Sequence, residues 1–160
     1  MTYTYNYSSP LGEILLAAND NSLTGLWFCG AKYFAAGLED EREEKLTPAI
    51  KETLRWLDEY FSGSEPGFMP PVELFGSDFR RRVWTELMDI PYGETVTYGE
   101  LAKRLGVKSA QAVGGAVGHN PISIVVPCHR VLGADGSLTG YAGGVDKKAR
   151  LLELERKHGK

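Results

Sequence analysis

Between Thr97 and Asn120 the chain carries the start and stop signals of two short helices in immediate succession. Thr97-x-x-Glu100 is a capping box, in which the hydroxyl and the carboxylate satisfy free amides at a helix start. Leu101, Ala102 and Leu105 follow at helical spacing, and Gly106 stands where a helix ends. Ser109 then offers a second N-cap, ahead of the run AQAVGGAVGHN. Two short helices joined by a Gly-containing turn of three or four residues form a helix-turn-helix pattern, which constrains everything packed around it.

The second helix of this pair has almost no side-chain bulk. Ala110, Ala112, Gly114, Gly115, Ala116 and Gly118 are all small. A glycine inside a helix costs about 1 kcal/mol relative to alanine. Two readings account for that cost. The helix packs tightly against another element, or it must lie close to a narrow surface such as a DNA minor groove. Sequence physics leaves both open.

The residues before this pair divide into two styles. Thr2 to Tyr7 alternates polar and aromatic residues, and Ser9-Pro10-Leu11-Gly12 breaks the run. Glu13–Ala18 and Ser22–Phe28 are apolar stretches separated by Asn19-Asp20-Asn21, the pattern of a hairpin. Residues 39–45 (EDEREEK) read as a solvated loop or helix face. Thr47-Pro48 sets a helix start, Ile50, Leu54, Leu57 and Phe61 follow at helical spacing, and Gly63 can end that helix. Residues 62–77 are rich in Gly, Pro and Ser and read as a linker. Beyond it, Ser77 or Asp78 caps a helix that buries Phe79, Val83, Trp84 and Leu87. The expected fold is a small N-terminal α/β domain, an antiparallel sheet plus a helix, over residues 1–76. It packs on a mainly α C-terminal domain over residues 77–160 with a winged helix-turn-helix-like motif.

Bulk properties exclude several classes. The 160 residues are 42% hydrophobic and 24% charged, which suits a globular chain rather than a disordered one. No apolar run approaches the roughly 18 residues of a membrane span. The start MTYTYNYSSP has neither a basic nor an apolar region of the kind a signal peptide needs. A cytoplasmic protein with no membrane partner is expected. Cys29 and Cys128 do not form a C-x2-C pair, and the three histidines show no H-x3-H spacing, so no metal and no cofactor are expected. In that compartment a disulfide is not expected, and Cys29 reads as a buried structural thiol. The net charge of −3 argues against a polyanionic partner, but its distribution does not. Residues 1–76 hold 5 Lys/Arg against 12 Asp/Glu, whereas residues 77–160 hold 13 against 9. Nucleic acid can therefore meet the second half and avoid the first.

Ile122 to Val126 (ISIVV) reads as a buried strand that stops at Pro127 and delivers Cys128-His129-Arg130. A thiolate is the reactive form of cysteine, and a neighbouring histidine or cation lowers the thiol pKa. On its own, a Cys-His dipeptide is better read as a structural thiol beside a surface histidine.

The wider string is more specific. It runs Asn120-Pro121-Ile-Ser-Ile-Val-Val-Pro127-Cys128-His129-Arg130-Val131, then Gly140-Tyr141-Ala142-Gly143-Gly144. With Pro91-Tyr-Gly-Glu-Thr-Val-Thr-Tyr98, Ala112-Val-Gly-Gly-Ala116 and Leu151-Leu152-x-x-Glu155, it resembles the O6-alkylguanine-DNA alkyltransferases. The resemblance is dense over about residues 77–157. The N-terminal part matches only in length and in its β-then-helix pattern.

The resemblance implies a single-turnover transferase that repairs DNA directly. Cys128 matches the acceptor of the alkyl group, His129 the general base that acts on the thiol through a water, and Glu155 the carboxylate that orients the histidine. This is the nucleophile–base–orienter logic of a hydrolase triad. Tyr98 matches the tyrosine that protonates the leaving guanine, and Asn120 the asparagine that braces the reactive loop. Ala110, Gln111, Ala112, Gly114, Gly115, Arg130, Tyr141 and Ala142 are the expected DNA and base contacts. Tyr141 also fits as core packing. The implied partner is double-stranded DNA carrying O6-alkylguanine, met through the minor groove by a monomer that flips the base out of the stack. O4-alkylthymine is a further possible substrate.

One residue departs from the family pattern. Gln111 stands where the family usually has an arginine that fills the gap left by the flipped nucleotide. Lys103, Arg104 and Lys108 then become candidates for phosphate contacts, or form an ordinary solvated face. Three rivals compete with the transferase: a damage-binding relative that does not repair, a helix-turn-helix regulator without chemistry, and a cysteine hydrolase. Such damage-binding relatives lack the acceptor cysteine. The regulator leaves Glu155 unexplained, and the hydrolase does not need the glycine-rich helix.

Overall fold

A computed structural model describes residues 1–138 and 140–158. Residues 159 and 160, the end of the expected second domain, lie outside the described residues. The N-terminal part is a four-stranded sheet in the order β3-β2-β1-β4. Strands β1 (Thr2–Ser9), β2 (Gly12–Ala18) and β3 (Leu23–Phe28) form the antiparallel hairpins that the turn residues call for. Asn19 makes the second turn by accepting at Oδ1 from the amides of Asn21 and Ser22. Strand β4 (Arg42–Glu44) lies within the charged stretch expected to be a loop or helix face. It pairs parallel to β1 on the sheet edge with all three residues exposed, so the strand forms without apolar patterning. A charged edge of this kind also discourages pairing with another chain.

Helix α1 (Pro48–Phe61) covers the sheet. Thr47 caps it through the Ile50 amide and Pro48 opens it, as the sequence requires. Its buried face is Ala49, Ile50, Thr53, Trp56, Leu57 and Tyr60, while Leu54 and Phe61 are only half-buried.

The C-terminal part is mainly helical. Helix α2 (Asp78–Leu87) is capped by Ser77 and buries Val83, Trp84 and Leu87. Helix α3 (Tyr98–Leu105) carries the full capping box of Thr97 and Glu100 and ends on Gly106 in the left-handed conformation, φ 69°. Helix α4 (Ala110–Gly118) starts on Ser109, and α5 (Val145–His158) closes the chain. The two-residue strands β5 (Val96–Thr97) and β6 (Val131–Leu132) pair in parallel and tie the start of α3 to the segment after Cys128.

One apolar cluster runs through both parts, from Leu16, Leu26 and Phe28 to Trp84, Val113 and Leu151. The backbone joins them as well. At the free edge of β3 the Leu26 amide donates to Pro121 O (2.8 Å) and the Ser123 amide donates to Leu26 O (3.0 Å). The sheet edge therefore grips the segment just before the Cys-His pair.

Candidate active site

That segment is not the expected strand. Residues 121–126 form a compact turn, buried apart from Pro121, and bridge to β3 at Leu26–Ile122. A short, mostly apolar run reports burial rather than conformation, and its β-branched residues suit a buried turn held by Asn120 as well as a strand. Asn120, itself 6% exposed, holds the turn shut. Its amide nitrogen donates to Val126 O (2.8 Å) and Ile122 O (3.3 Å), and its oxygen accepts from the Ile122 amide (3.1 Å). Ile124 sits at φ 70°, a strained conformation for a β-branched residue that persists only where its surroundings enforce it. Replacing Asn120 with Ala orphans buried backbone groups at both ends of the turn. At about 1–3 kcal/mol per orphaned group, Asn120→Ala should lower the unfolding free energy by roughly 2–4 kcal/mol in urea titrations.

The turn delivers Cys128, His129 and Arg130 as a single 3-10 turn, all three buried. Burial pushes the Cys128 thiol above its ordinary value, while the Asn120 amide and the Lys148 ammonium pull against that rise. Burial dominates, and the neighbouring histidine lends no positive charge because its own pKa is lowered, so at rest the group is a thiol. Activation calls for a base.

His129 has the geometry of one. Its Nε2 faces Glu155 Oε2 at 2.5 Å, and its Nδ1 has no hydrogen-bond partner among the described residues. A proton on Nε2 directed at the carboxylate leaves the lone pair on Nδ1. Burial lowers the His129 pKa, which keeps the ring neutral and able to accept a proton.

Glu155 on α5 is 1% exposed and densely held. Oε2 accepts from Tyr60 (2.6 Å) and Arg130 Nη2 (3.2 Å) as well as from His129. Oε1 accepts from Arg130 Nε (2.8 Å) and the Gly93 amide (3.2 Å). Burial works against its charge, yet His129 and then Arg130 hold the carboxyl well below the usual carboxylate range.

Arg130, expected among the DNA contacts, is turned inward. Its guanidinium is spent on Glu155 and on Ile90 O (2.7 Å), inside the protein. Cys29, expected to be buried, is exposed just past the end of β3. A lone cysteine after an apolar strand gives no sign of which side of the strand's end it occupies.

Around the thiol, Tyr141 is buried and its hydroxyl lacks a hydrogen-bond partner among the described residues. Tyr98, at the first position of α3, lies between α4 and the loop after β6. A Cβ at Gly114 would stand 3.8 Å from its ring, and one at Gly140 only 3.1 Å from its hydroxyl. Ala142 O accepts from the Lys32 amide of the N-terminal domain (2.9 Å).

On α4, Ala110, Gln111, Ala112 and Gly115 are exposed, and Val113, Ala116 and Val117 face the core. A Cβ at Gly115 would meet nothing within 4 Å, and at Gly114 only an ordinary contact. Close packing inside the protein therefore does not explain these glycines.

Lys148 and Tyr60 were not anticipated. Lys148 is fully buried on α5 and donates to Val131 O; burial pushes its pKa down to about 8. With Leu151 and Glu155 it forms a buried stripe at i, i+3 and i+7, so helical periodicity could have found it. Tyr60 offers no comparable signal, being 95 residues away from the carboxylate it contacts.

Comparison with known proteins finds relatives for both halves of the chain. The family model for the 6-O-methylguanine DNA methyltransferase DNA-binding domain matches residues 78–157, and that for its ribonuclease-like domain matches residues 1–74. A methylated-DNA–protein-cysteine methyltransferase of Mycolicibacterium paratuberculosis is 47% identical over 152 residues, covering 94% of this chain and 90% of the relative. One from Methanosarcina acetivorans is 45% identical over 152 residues, covering 93% and 95%. The crystal structure of Mycobacterium tuberculosis OGT in complex with DNA superposes with a TM-score of 0.89 at 41% identity, covering 98% of this chain and 94% of that one. Both halves of the chain and their arrangement are thus shared, and the protein belongs to the methylated-DNA–protein-cysteine methyltransferase family.

Proposed function

We propose that the protein repairs DNA by moving the alkyl group of O6-alkylguanine onto Cys128, once per molecule. The observation that carries this reading is the buried Glu155–His129 pair set beside a buried Cys128, with His129 Nδ1 uncommitted among the described residues. The thiol proton passes through a water to Nδ1 as Sγ attacks the carbon bonded to O6. The S–C bond forms, the C–O bond breaks, and its electron pair stays with the guanine. Tyr98 gives the guanine a proton, so the loss at the thiol and the gain at the base balance overall. Glu155 stabilises the imidazolium that results. The thioether product has no leaving group that water displaces readily, so the protein is consumed.

The base reaches Cys128 only when flipped out of the duplex, at a cost of a few kcal/mol that falls for a damaged pair. The exposed small residues of α4, Ala110, Ala112 and Gly115, support a minor-groove approach, because a side chain there would hold the backbone away from the groove. Tyr141 and Ala142 line the side of the pocket formed by the loop that follows β6. A monomer suffices, since every proposed reacting group comes from one chain.

Intact-protein mass after incubation with a duplex containing one O6-methylguanine tests the reading. A gain of one methylene per protein, on Cys128, supports it. Tight lesion binding with no gain would place the protein with the damage-binding relatives, and neither binding nor gain would sink the reading. Gln111 sets a second expectation. It is exposed and uncharged where the family usually has arginine. Gln111→Arg should tighten binding to the lesion duplex by roughly 3- to 10-fold at fixed salt, through added charge and reach. Fluorescence anisotropy would show it, and an unchanged affinity would mean that this position does not touch DNA.

A further inference from the structure

Glu155 receives a hydrogen bond from outside its own domain. Tyr60 lies on α1, in the N-terminal domain, and its hydroxyl reaches Glu155 Oε2 at 2.6 Å. This is the same oxygen that faces His129 Nε2. The Tyr60 ring has no freedom to follow a wandering carboxylate. Trp56 stacks on it at 5.2 Å, and Phe61 and Tyr92 meet it edge-on at 5.3 and 6.1 Å. The side chain is fully buried. A rigid donor fixed to a separate layer of the fold thus sets where Oε2 stands and how much of its electron density is left for the histidine.

We propose that Tyr60 is a positioning residue of the alkyl-transfer site, through which the N-terminal domain fixes the carboxylate that carries His129. The proposal rests on the transferase reading for its consequence and on geometry for its existence. Burial, followed by the charge of Glu155, raises the phenol far above its ordinary value, so Tyr60 remains a donor throughout the working range. The charged and titratable groups around His129 are Glu155 and Lys148 from α5 and Arg130 from its own turn. Those around Tyr60 are Glu155, Arg130 and Tyr141, with Tyr92 edge-on to its ring. Only Glu155 and Arg130 appear in both sets, and Glu155 is hydrogen-bonded to both side chains. An effect of Tyr60 on His129 therefore runs through that carboxylate.

The sign follows from competition for Oε2. Removing the phenol hydroxyl leaves the oxygen a better acceptor for His129, which stabilises the imidazolium. In Tyr60→Phe the acid limb of the single-turnover rate, and the midpoint of the His129 ring titration followed by NMR in unreacted protein, should both move up by roughly half to one pH unit. Tyr60→3-fluorotyrosine keeps the ring and makes a stronger donor, so it should move both midpoints down. That variant also decides the matter if the phenylalanine protein folds poorly. Midpoints that coincide with wild type in both variants would overturn the proposal and leave Tyr60 a packing residue. The NMR midpoint needs no DNA, so a wild-type protein that transfers no alkyl group would sink the function while Tyr60 was still tested.

Discussion

Glu155→Ala should lose about 3–5 kcal/mol of folding stability and nearly all alkyl transfer, the stability loss being that expected when one partner of a buried ion pair is removed. The carboxylate is the common acceptor for His129, Tyr60, Arg130 and the Gly93 amide. Alanine leaves a buried guanidinium without its counter-charge and several donors without partners. Domains of this size have net stabilities of about 5–15 kcal/mol, so the loss is a large share of the total. Urea unfolding should show it directly. Glu155→Gln should not fully rescue, because its amide nitrogen must face either the Arg130–Gly93 donors or the His129–Tyr60 donors. The pH dependence has a definite sign. Folding depresses the Glu155 carboxyl, so its contribution is complete above the ordinary carboxylate value of 4.5 and is lost as pH falls below it. Over that acid range the alanine variant should show a flatter stability profile than wild type. A variant as stable as wild type, with an unchanged transfer rate, would mean that the network is ornamental.

Cys128→Ser should abolish transfer, with a loss on the order of 10³-fold or more, as expected for removal of a nucleophile. A serine hydroxyl is far less acidic than a thiol, and neutral His129 cannot produce a useful alkoxide from it. The substitution is nearly isosteric at a site 6% exposed, so the fold and the affinity for the lesion duplex should change little. Cys29→Ser is the matched control. Cys29 is exposed and outside the relay, and its loss should leave the mass gain intact. A methylene still appearing on the Cys128→Ser protein, carried by Cys29, would refute the assignment of the acceptor.

The local grammar of the chain was legible because it is written in short-range chemistry. Thr47-Pro48, Ser77, the Thr97–Glu100 box, Gly106 and Ser109 all act within one helical turn, and each stands at the helix end that it marks. The Asn19 turn is equally local. The segment from Ile122 to Val126 is illegible for the opposite reason. Its conformation is imposed by the Asn120 side chain and the β3 edge, neither of which shows in an apolar run. Arg130 is illegible in the same way, since an arginine beside a DNA-facing helix looks like a phosphate contact until its carboxylate partner, 25 residues on, is known.

The sequence by itself determined the two-part architecture and the helix-turn-helix, and singled out Cys128, His129 and Glu155 as candidates, because these rest on turn chemistry and on a specific motif. Only the tertiary structure decided the state of that group. It buries the thiol and raises its pKa, leaves His129 Nδ1 without a partner among the described residues, turns Arg130 inward, and brings Tyr60 from the other domain onto Glu155. It also showed that Gly115 of α4 faces open space and that a side chain at Gly114 would meet only an ordinary contact with Tyr98. Burial, hydrogen-bond competition and contact across 95 residues are properties of the packed molecule, and no local pattern encodes them.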